Sequence, residues 1–349
     1  MEGARGFDGL LITRPADIRY LCGFTGSAGV FVLAAGRAVL FTDGRYTEQA
    51  NKEAEGTKIV IAKGPPLAAA CGWIEAAGVE RCAYDPAHTT VSVFAAMRAA
   101  LTPKHRRSLF HPCEDLVSRQ REIKDAAEVA IMHTAAGLGC AVFDEILPEI
   151  VPSVTETQLA LNVEYRARRA GAEKMSFETI VAGGKRSALP HARPTAAKLP
   201  QKGFVTLDFG VVFDGYCSDM TRTVHLGRVS PEERAVYDSV LEAQLSAIAC
   251  VTPGITAGEV DEAARCVLRR AKLDTFFTHS TGHGVGLEIH EQPRIGSKQV
   301  QELKPGMVIT IEPGVYLAGR FGVRIEDMVL VTERGHQVLT TSMKALIEL

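Results

Sequence analysis

The sequence predicts two domains, an α/β domain followed by an α+β domain, and three observations carry that prediction. A chain of 349 residues exceeds what one hydrophobic core comfortably serves. In the first third, short apolar runs alternate with helical patterns, as they do in α/β chains. Beyond it, long amphipathic helices and strands separate into blocks, which is the α+β pattern. The boundary is placed just before Ser118, giving domains 1–117 and 118–349, because His111-Pro-Cys-Glu-Asp115 reads as a linker.

In the first domain, residues 9–13, 30–34, 38–42, 58–62 and 81–84 are short and apolar, bounded by glycine or polar residues, and are predicted strands. Helical patterns cover 45–55, 66–77 and 89–100. The glycine-rich stretches 23–29 and 42–46 do not spell GxGxxG, so no dinucleotide fingerprint is present, and by spacing alone both are plain connections. In the second domain a long helix is expected from Ser118, with Ile123, Ala127, Ile131, Ala135 and Leu138 on one face. Thr155 with Gln158, Ser230 with Glu233 and Thr256 with Glu259 are capping boxes that open three more helices. Strands are expected at 203–210, 211–217, 221–226, 307–311 and 324–331.

Composition narrows the function classes. Hydrophobic residues make up 46 % and charged residues 23 %, the balance of a globular protein. A net charge of -2 and a pI near 6.6 give no footprint for nucleic acid or an anionic membrane. The first ten residues lack a signal-peptide core, and no run of ~18 uncharged apolar residues occurs, so a cytoplasmic location is expected. The eight cysteines (22, 71, 82, 113, 140, 217, 250 and 266) form no CxxC, which argues against a zinc knuckle or a disulfide framework.

The chemistry lies in the second domain. Asp208, Asp219, Glu312 and Glu326 each stand in or beside an apolar run that reads as a buried strand. An isolated buried carboxylate costs several kcal/mol and protonates sooner than it stays charged, so four together require a compensating positive charge. A turn at Asp214-Gly215 allows Asp208 and Asp219 to return to one place on neighbouring strands. Arg324 precedes Glu326 by two residues and is expected on the same strand face. His283 lies in Thr281-Gly-His-Gly-Val-Gly-Leu-Glu-Ile-His-Glu291, where glycines let the backbone approach closely. Four carboxylates and one imidazole form a mainly oxygen donor set, suited to two divalent ions of manganese, cobalt, iron or zinc and to activation of a shared water. His191, His279 and His290 are further candidates. A lone loop histidine is more often a bystander, but their loops flank the strand of Asp208 and the turn of His283.

These motifs resemble those of the Xaa-Pro peptidases, aminopeptidase P and prolidase, over nearly the whole chain. The resemblance implies a creatinase-like N-terminal domain, a pita-bread catalytic domain and a homodimer. It implies Asp208, Asp219, His283, Glu312 and Glu326 as ligands of two metal ions, with manganese favoured, and Glu312 also as a proton shuttle. His191, His279 and His290 would bind substrate and steady a tetrahedral intermediate, beside Arg324, while Tyr316 would line the site. The substrate would be a proline-containing peptide, cut between its first residue and the proline. The segments at 23–29 and 42–46 resemble aminopeptidase P. The compact length and Glu291-Gln-Pro-Arg-Ile295 resemble short prolidases, in which Arg294 would clamp the free carboxylate of a dipeptide. Rival readings are a methionine-aminopeptidase-like enzyme, a metal-free creatinase-type enzyme and a non-enzymatic binding protein on the same scaffold. The first is disfavoured by the extra N-terminal domain, the other two by retention of all five ligand positions.

Overall fold

The computed structural model describes residues 6–349, which divide into two compact units meeting in sequence at Arg121 and Glu122. The first unit has six strands, β1 (Gly9–Ile12), β2 (Gly29–Ala34), β3 (Arg37–Asp43), β4 (Lys58–Ala62), β5 (Cys82–Tyr84) and β6 (Phe110–Pro112). They form one mixed sheet in the order β4-β3-β2-β1-β5-β6. Its helices are α1 (Pro15–Cys22), α2 (Thr47–Glu53), α3 (Pro66–Ala76), α4 (Val91–Ala99) and the single turn α5 (Ser118–Arg121). Val32, Val39 and Phe41 pack with Ala70 and Ile74 of α3, while Leu10, Ile12 and Leu40 pack with Ile18 and Cys22 of α1. The stretch expected to be a linker at 111–115 instead supplies part of β6, which runs parallel to β5. It is only three residues long and half-exposed, so neither length nor apolarity marked it.

The two glycine-rich stretches of this unit touch each other. Ser27 Oγ and Tyr46 Oη lie 2.6 Å apart, Thr42 Oγ1 donates to Ala28 O, and Phe24 meets the Tyr46 ring edge-on.

The second unit begins with α6 (Ala126–Ile146) and α7 (Glu156–Arg169). The helix expected from Ser118 is interrupted: α5 stops at Arg121, and α6 starts after Asp125, whose carboxylate accepts from the Ala127 and Glu128 N–H groups while Glu128 reaches back to the Asp125 N–H. This capping box is an Asp-x-x-Glu variant of the pattern that located the other helices. Ile123 therefore lies outside the helix and is exposed, and the buried face carries Met132, Ala135, Ala136, Cys140, Phe143 and Ile146. By length and composition the stretch Ala126–Glu149 could cross a membrane, but that face belongs to the core.

Next come β7 (Lys174–Met175), β8 (Ile180–Gly183), β9 (Gly203–Phe209), β10 (Val211–Phe213), β11 (Tyr216–Cys217) and β12 (Met220–Leu226), then α8 (Pro231–Cys250) and α9 (Ala257–Arg270). The chain ends in β13 (Gly282–Gly284), β14 (Glu291–Ile295), β15 (Val308–Ile311), β16 (Gly314–Leu317), β17 (Phe321–Arg324), β18 (Asp327–Thr332) and β19 (Gly335–Val338). The named strands of this unit pair antiparallel, within sheets ordered β12-β9-β8, β11-β10-β7, β14-β13-β15-β18-β19 and β16-β17, and one isolated bridge, His225 to Glu348, is parallel. The strand expected over 211–217 is a hairpin, turning at Asp214, whose φ is 42°, and Gly215.

The core of this unit has two halves. Val205, Leu207 and Phe209 of β9 pack with Phe143, Leu159 and Val163 of α6 and α7. Ile309, Ile311, Val329 and Val331 of β15 and β18 pack with Val240, Ala243, Val260, Ala264 and Leu268 of α8 and α9. Each of these valines, leucines, isoleucines and phenylalanines, fully buried, contributes roughly 1.5–3 kcal/mol. Because strand side chains alternate, this burial determines where the carboxylates point: Asp208 faces away from α6 and α7, and Glu312 leaves β15 on the side away from α8 and α9.

Candidate metal centre

Asp208 sits on β9 directly opposite Thr221 of β12, and Asp219 lies just before β12. Glu312 follows β15. Glu326 occupies the two-residue break at 325–326 between β17 and β18, where a continuous strand was expected. The break arises because β17 pairs with β16 while β18 pairs with β15. Arg324 and Glu326 nevertheless share a neighbour: Thr221 Oγ1 donates 2.7 Å to Glu326 Oε2 and receives Arg324 Nε at 3.1 Å. Arg324 also donates 2.6 Å to Asp208 Oδ2, 2.8 Å to Tyr316 Oη and 3.2 Å to Pro190 O.

His283 is held in place by glycine. A Cβ at Gly282 would overlap Thr310 O, and one at Gly284 would overlap Gln292 O. The imidazole Nδ1–H donates 2.9 Å to Gly284 O. Burial pulls the ring's pKa down to about 4, so at neutral pH the ring is uncharged and Nε2 carries a lone pair. That lone pair faces Asp219 Oδ2 and Glu312 Oε1, each at 3.6 Å. A neutral ring nitrogen and two carboxyl groups converge here, an arrangement that an intervening cation satisfies or, in its absence, protons on the acids. One donor atom each from Asp219, His283 and Glu326 lies within 4.8 Å of the others. Asp208 Oδ1 and Asp219 Oδ1 are buried and, among the described residues, accept no hydrogen bond. The donor set therefore fits divalent metal ions.

The carboxylates respond to this crowding. Burial first, then the charges of Glu326, Asp208 and Glu312, push Asp219 well above its ordinary range. Burial followed by the charges of Glu312 and Asp208 does the same to Glu326, and burial lifts Glu312 to about 8. A group whose pKa rises on folding favours the folded state below its unfolded value and loses that contribution as pH rises through the folded value. For Glu312 the window runs from 4.5 to about 8. Chelator-treated protein is therefore expected to melt at progressively lower temperature between about pH 5 and pH 8, and added divalent metal to restore most stability at the upper end with release of protons. Thermal melts with and without chelator check this. A melting temperature that climbs with pH in the metal-free protein would contradict it.

The remaining candidates line one side. His279 donates from Nδ1 to Ser280 O at 2.8 Å, and burial lowers it to about 4. Its Nε2 accordingly accepts from Tyr316 Oη at 2.8 Å, and Tyr316 in turn accepts from Arg324, giving a chain Arg324 to Tyr316 to His279. Burial lifts the Tyr316 phenol to about 12, so it stays protonated. The His290 ring packs edge-on against His283, with centroids 4.4 Å apart. His191 is exposed, one residue after the Pro190 carbonyl held by Arg324. Arg294 is exposed on β14 directly opposite His283, so the two side chains share a sheet face.

Several buried polar residues beside the centre escaped the sequence reading. Arg222, the bulkiest fully buried side chain, donates to the carbonyls of Thr221 at 2.9 Å and Glu326 at 2.5 Å, and pairs with Asp327 at 2.8 Å. Asp327 also accepts from Gln244, Thr340 and Lys344. Asp327 could have been found by the reasoning that found Glu326, since it too is an acid inside an apolar run.

Fold and donor set together are those of a pita-bread metallohydrolase. Residues 130–333 match metallopeptidase family M24, and residues 3–123 match the creatinase/prolidase N-terminal domain. The chain belongs to metallopeptidase family M24, whose members use divalent metals. It is 35 % identical to a Xaa-Pro dipeptidase of Pyrococcus furiosus over 97 % of this chain and 95 % of that one. Among solved structures it superposes on a Xaa-Pro dipeptidase from Bacillus anthracis with a TM-score of 0.95, at 40 % identity over 100 % of this chain and 96 % of that one. An X-Pro aminopeptidase from Thermotoga maritima superposes with a TM-score of 0.91, at 33 % identity over 100 % of both chains.

Proposed function

We propose that this protein is a two-metal Xaa-Pro peptidase in which Asp208, Asp219, His283, Glu312 and Glu326 hold the ions. The observation that carries the proposal is the neutral His283 Nε2 facing Asp219 and Glu312 at 3.6 Å, beside two buried carboxylate oxygens without partners. Divalent ions there, with manganese proposed, would neutralise the acids and supply Lewis acidity to a water and to the scissile carbonyl. Around them the protein's own groups divide the work. Glu312, with its carboxylate charge balanced by the ions, would take a proton from water and return it to the departing proline nitrogen. His290, whose ring packs against His283, and His191, on its exposed loop, would donate to an oxyanion. His279 holds Tyr316, and Arg324 holds both Tyr316 and Asp208, so these three form the wall of the site. A homodimer acting in the cytoplasm completes the proposal.

The test is a metal-reconstituted assay comparing an Xaa-Pro dipeptide, an Xaa-Pro-containing tripeptide and a Met-Ala peptide. Cleavage of either proline peptide is expected, whereas cleavage of the Met-Ala peptide alone would favour a methionine-aminopeptidase-like enzyme. No cleavage with any divalent metal would favour a binding protein.

Arg294 sharpens the substrate. Its position on the His283 face of β14 suits it to grip the free carboxylate of a dipeptide. Arg294→Ala is expected to raise KM for the Xaa-Pro dipeptide roughly 10–100-fold, the scale of one charged hydrogen bond. KM for a tripeptide, whose carboxylate lies one residue further on, is expected to move little. Equal effects on both substrates would remove Arg294 from this role.

A further inference from the structure

Outside the proposed metal ligands, the second unit contains two buried carboxylates that share a four-bond pattern with a threonine and an arginine. Glu156, the first residue of α7, accepts through Oε2 from both the backbone N–H (3.0 Å) and the hydroxyl (2.7 Å) of Thr195. Arg186 Nε donates to the same carboxylate at 2.9 Å, and Arg186 Nη2 reaches the carbonyl two residues before that threonine, Arg193 O, at 2.6 Å. Asp261 on α9 accepts through Oδ1 from the backbone N–H (3.2 Å) and hydroxyl (2.8 Å) of Thr281. Arg265 Nε donates to it at 2.7 Å, and Arg265 Nη2 again reaches the carbonyl two residues before the threonine, His279 O, at 2.6 Å. Arg265 also donates to Phe277 O at 3.3 Å and lies over the Phe277 ring at 4.3 Å.

Both devices fix a loop that carries a histidine. The Glu156 clamp closes over residues 183–195, which include His191, and the Asp261 clamp over 277–281, which include His279. Both carboxylates are essentially out of solvent, with side-chain exposures of 1 %. Their arginine partners are 32 % and 22 % exposed, and an ion pair open to water on one side adds little stability. What each does provide is five directional bonds that leave its loop one conformation.

We propose that Glu156 with Arg186, and Asp261 with Arg265, are positioning residues that set His191 and His279 toward the substrate. They act through the loop backbone and touch neither metal nor peptide. The inference rests on the proposed Xaa-Pro peptidase reading, in which those histidines serve the substrate. A misplacement of about 1 Å can cost about 10²-fold in rate. Arg265→Lys and Thr195→Val are therefore expected to lower kcat/KM for an Xaa-Pro peptide by up to that factor, with metal affinity in a chelator-competition titration unchanged.

The deciding measurement is a pair of double-mutant cycles. Arg265→Lys is expected to cost little further once His279→Ala is present, and Thr195→Val little further beside His191→Ala, because the group being positioned is gone. Losses that multiply, or metal affinity that falls with kcat/KM, would assign the clamps to general structure and overturn the proposal. Thr195→Val removes a single hydroxyl and keeps the test decisive should Arg265→Lys not fold. If His191→Ala and His279→Ala themselves leave kcat/KM intact, the substrate-side reading of the histidines fails and the clamps fail with it. Full histidine effects with multiplicative clamp effects sink the clamps alone.

Discussion

Asp219→Ala is expected to abolish cleavage of Xaa-Pro peptides even in excess metal. Asp219 brings Oδ2 to 3.6 Å from His283 Nε2 and keeps Oδ1 buried without a partner. Its alternative to holding a cation is to take up a proton, as its raised pKa in the metal-free chain records. Loss of an outer partner of a metal ligand typically costs roughly 10–100-fold, so loss of a ligand itself should exceed that. Metal content per chain should fall alongside kcat/KM, while thermal unfolding in chelator should show the variant no less stable than wild type, since one acid of a mutually repelling set is gone. Retained turnover at normal metal content would remove Asp219 from the centre.

Asp327→Ala is expected to have the largest effect on stability. It strips the counter-charge from Arg222, whose side chain is only 2 % exposed, and it deprives Gln244, Thr340 and Lys344 of their shared acceptor. Breaking a buried pair from one side costs about 3–5 kcal/mol, readable as a lower urea midpoint at unchanged slope. Although burial raises the Asp327 pKa, the charges of Arg222 and Lys344 outweigh it and hold the group below the ordinary carboxylate range. Its contribution is thus present above that range and lost as pH falls through the depressed value, the opposite direction to Glu312. An Asp327→Ala midpoint close to wild type at neutral pH would show that the pair is not a keystone.

The catalytic half was legible where a residue breaks the rule of its surroundings. Asp208, Asp219, Glu312 and Glu326 stood out because charge inside apolar strands is costly, and His283 because glycines crowd it. The same rule was not carried one residue further to Asp327, nor to Arg222 between two threonines. Glu156 and Asp261 were hidden differently. Each lies in the first part of an ordinary amphipathic helix, where an acid is expected to face solvent and favour the helix dipole. The bond from Glu156 to Thr195 spans 39 residues, and no local pattern encodes it. The break at 325–326 was invisible because apolar β-formers stand on both sides of it, and the choice between β15 and β16 as partner is made by the sheet.

The Arg222 contacts impose an order of events during synthesis. Arg222 takes its acceptors from Thr221, Glu326 and Asp327 on one side and from the carbonyls of Ser342 and Met343 on the other. The ribosome makes Asp208, Asp219 and His283 long before residue 342. Until translation has passed that point, Arg222 lacks the acceptors on its second side, and the carbonyl of Glu326 is held by an arginine with only half its partners. On the proposed two-metal reading, a chain terminated before residue 342 should contain every proposed ligand yet bind metal only weakly in a chelator-competition titration.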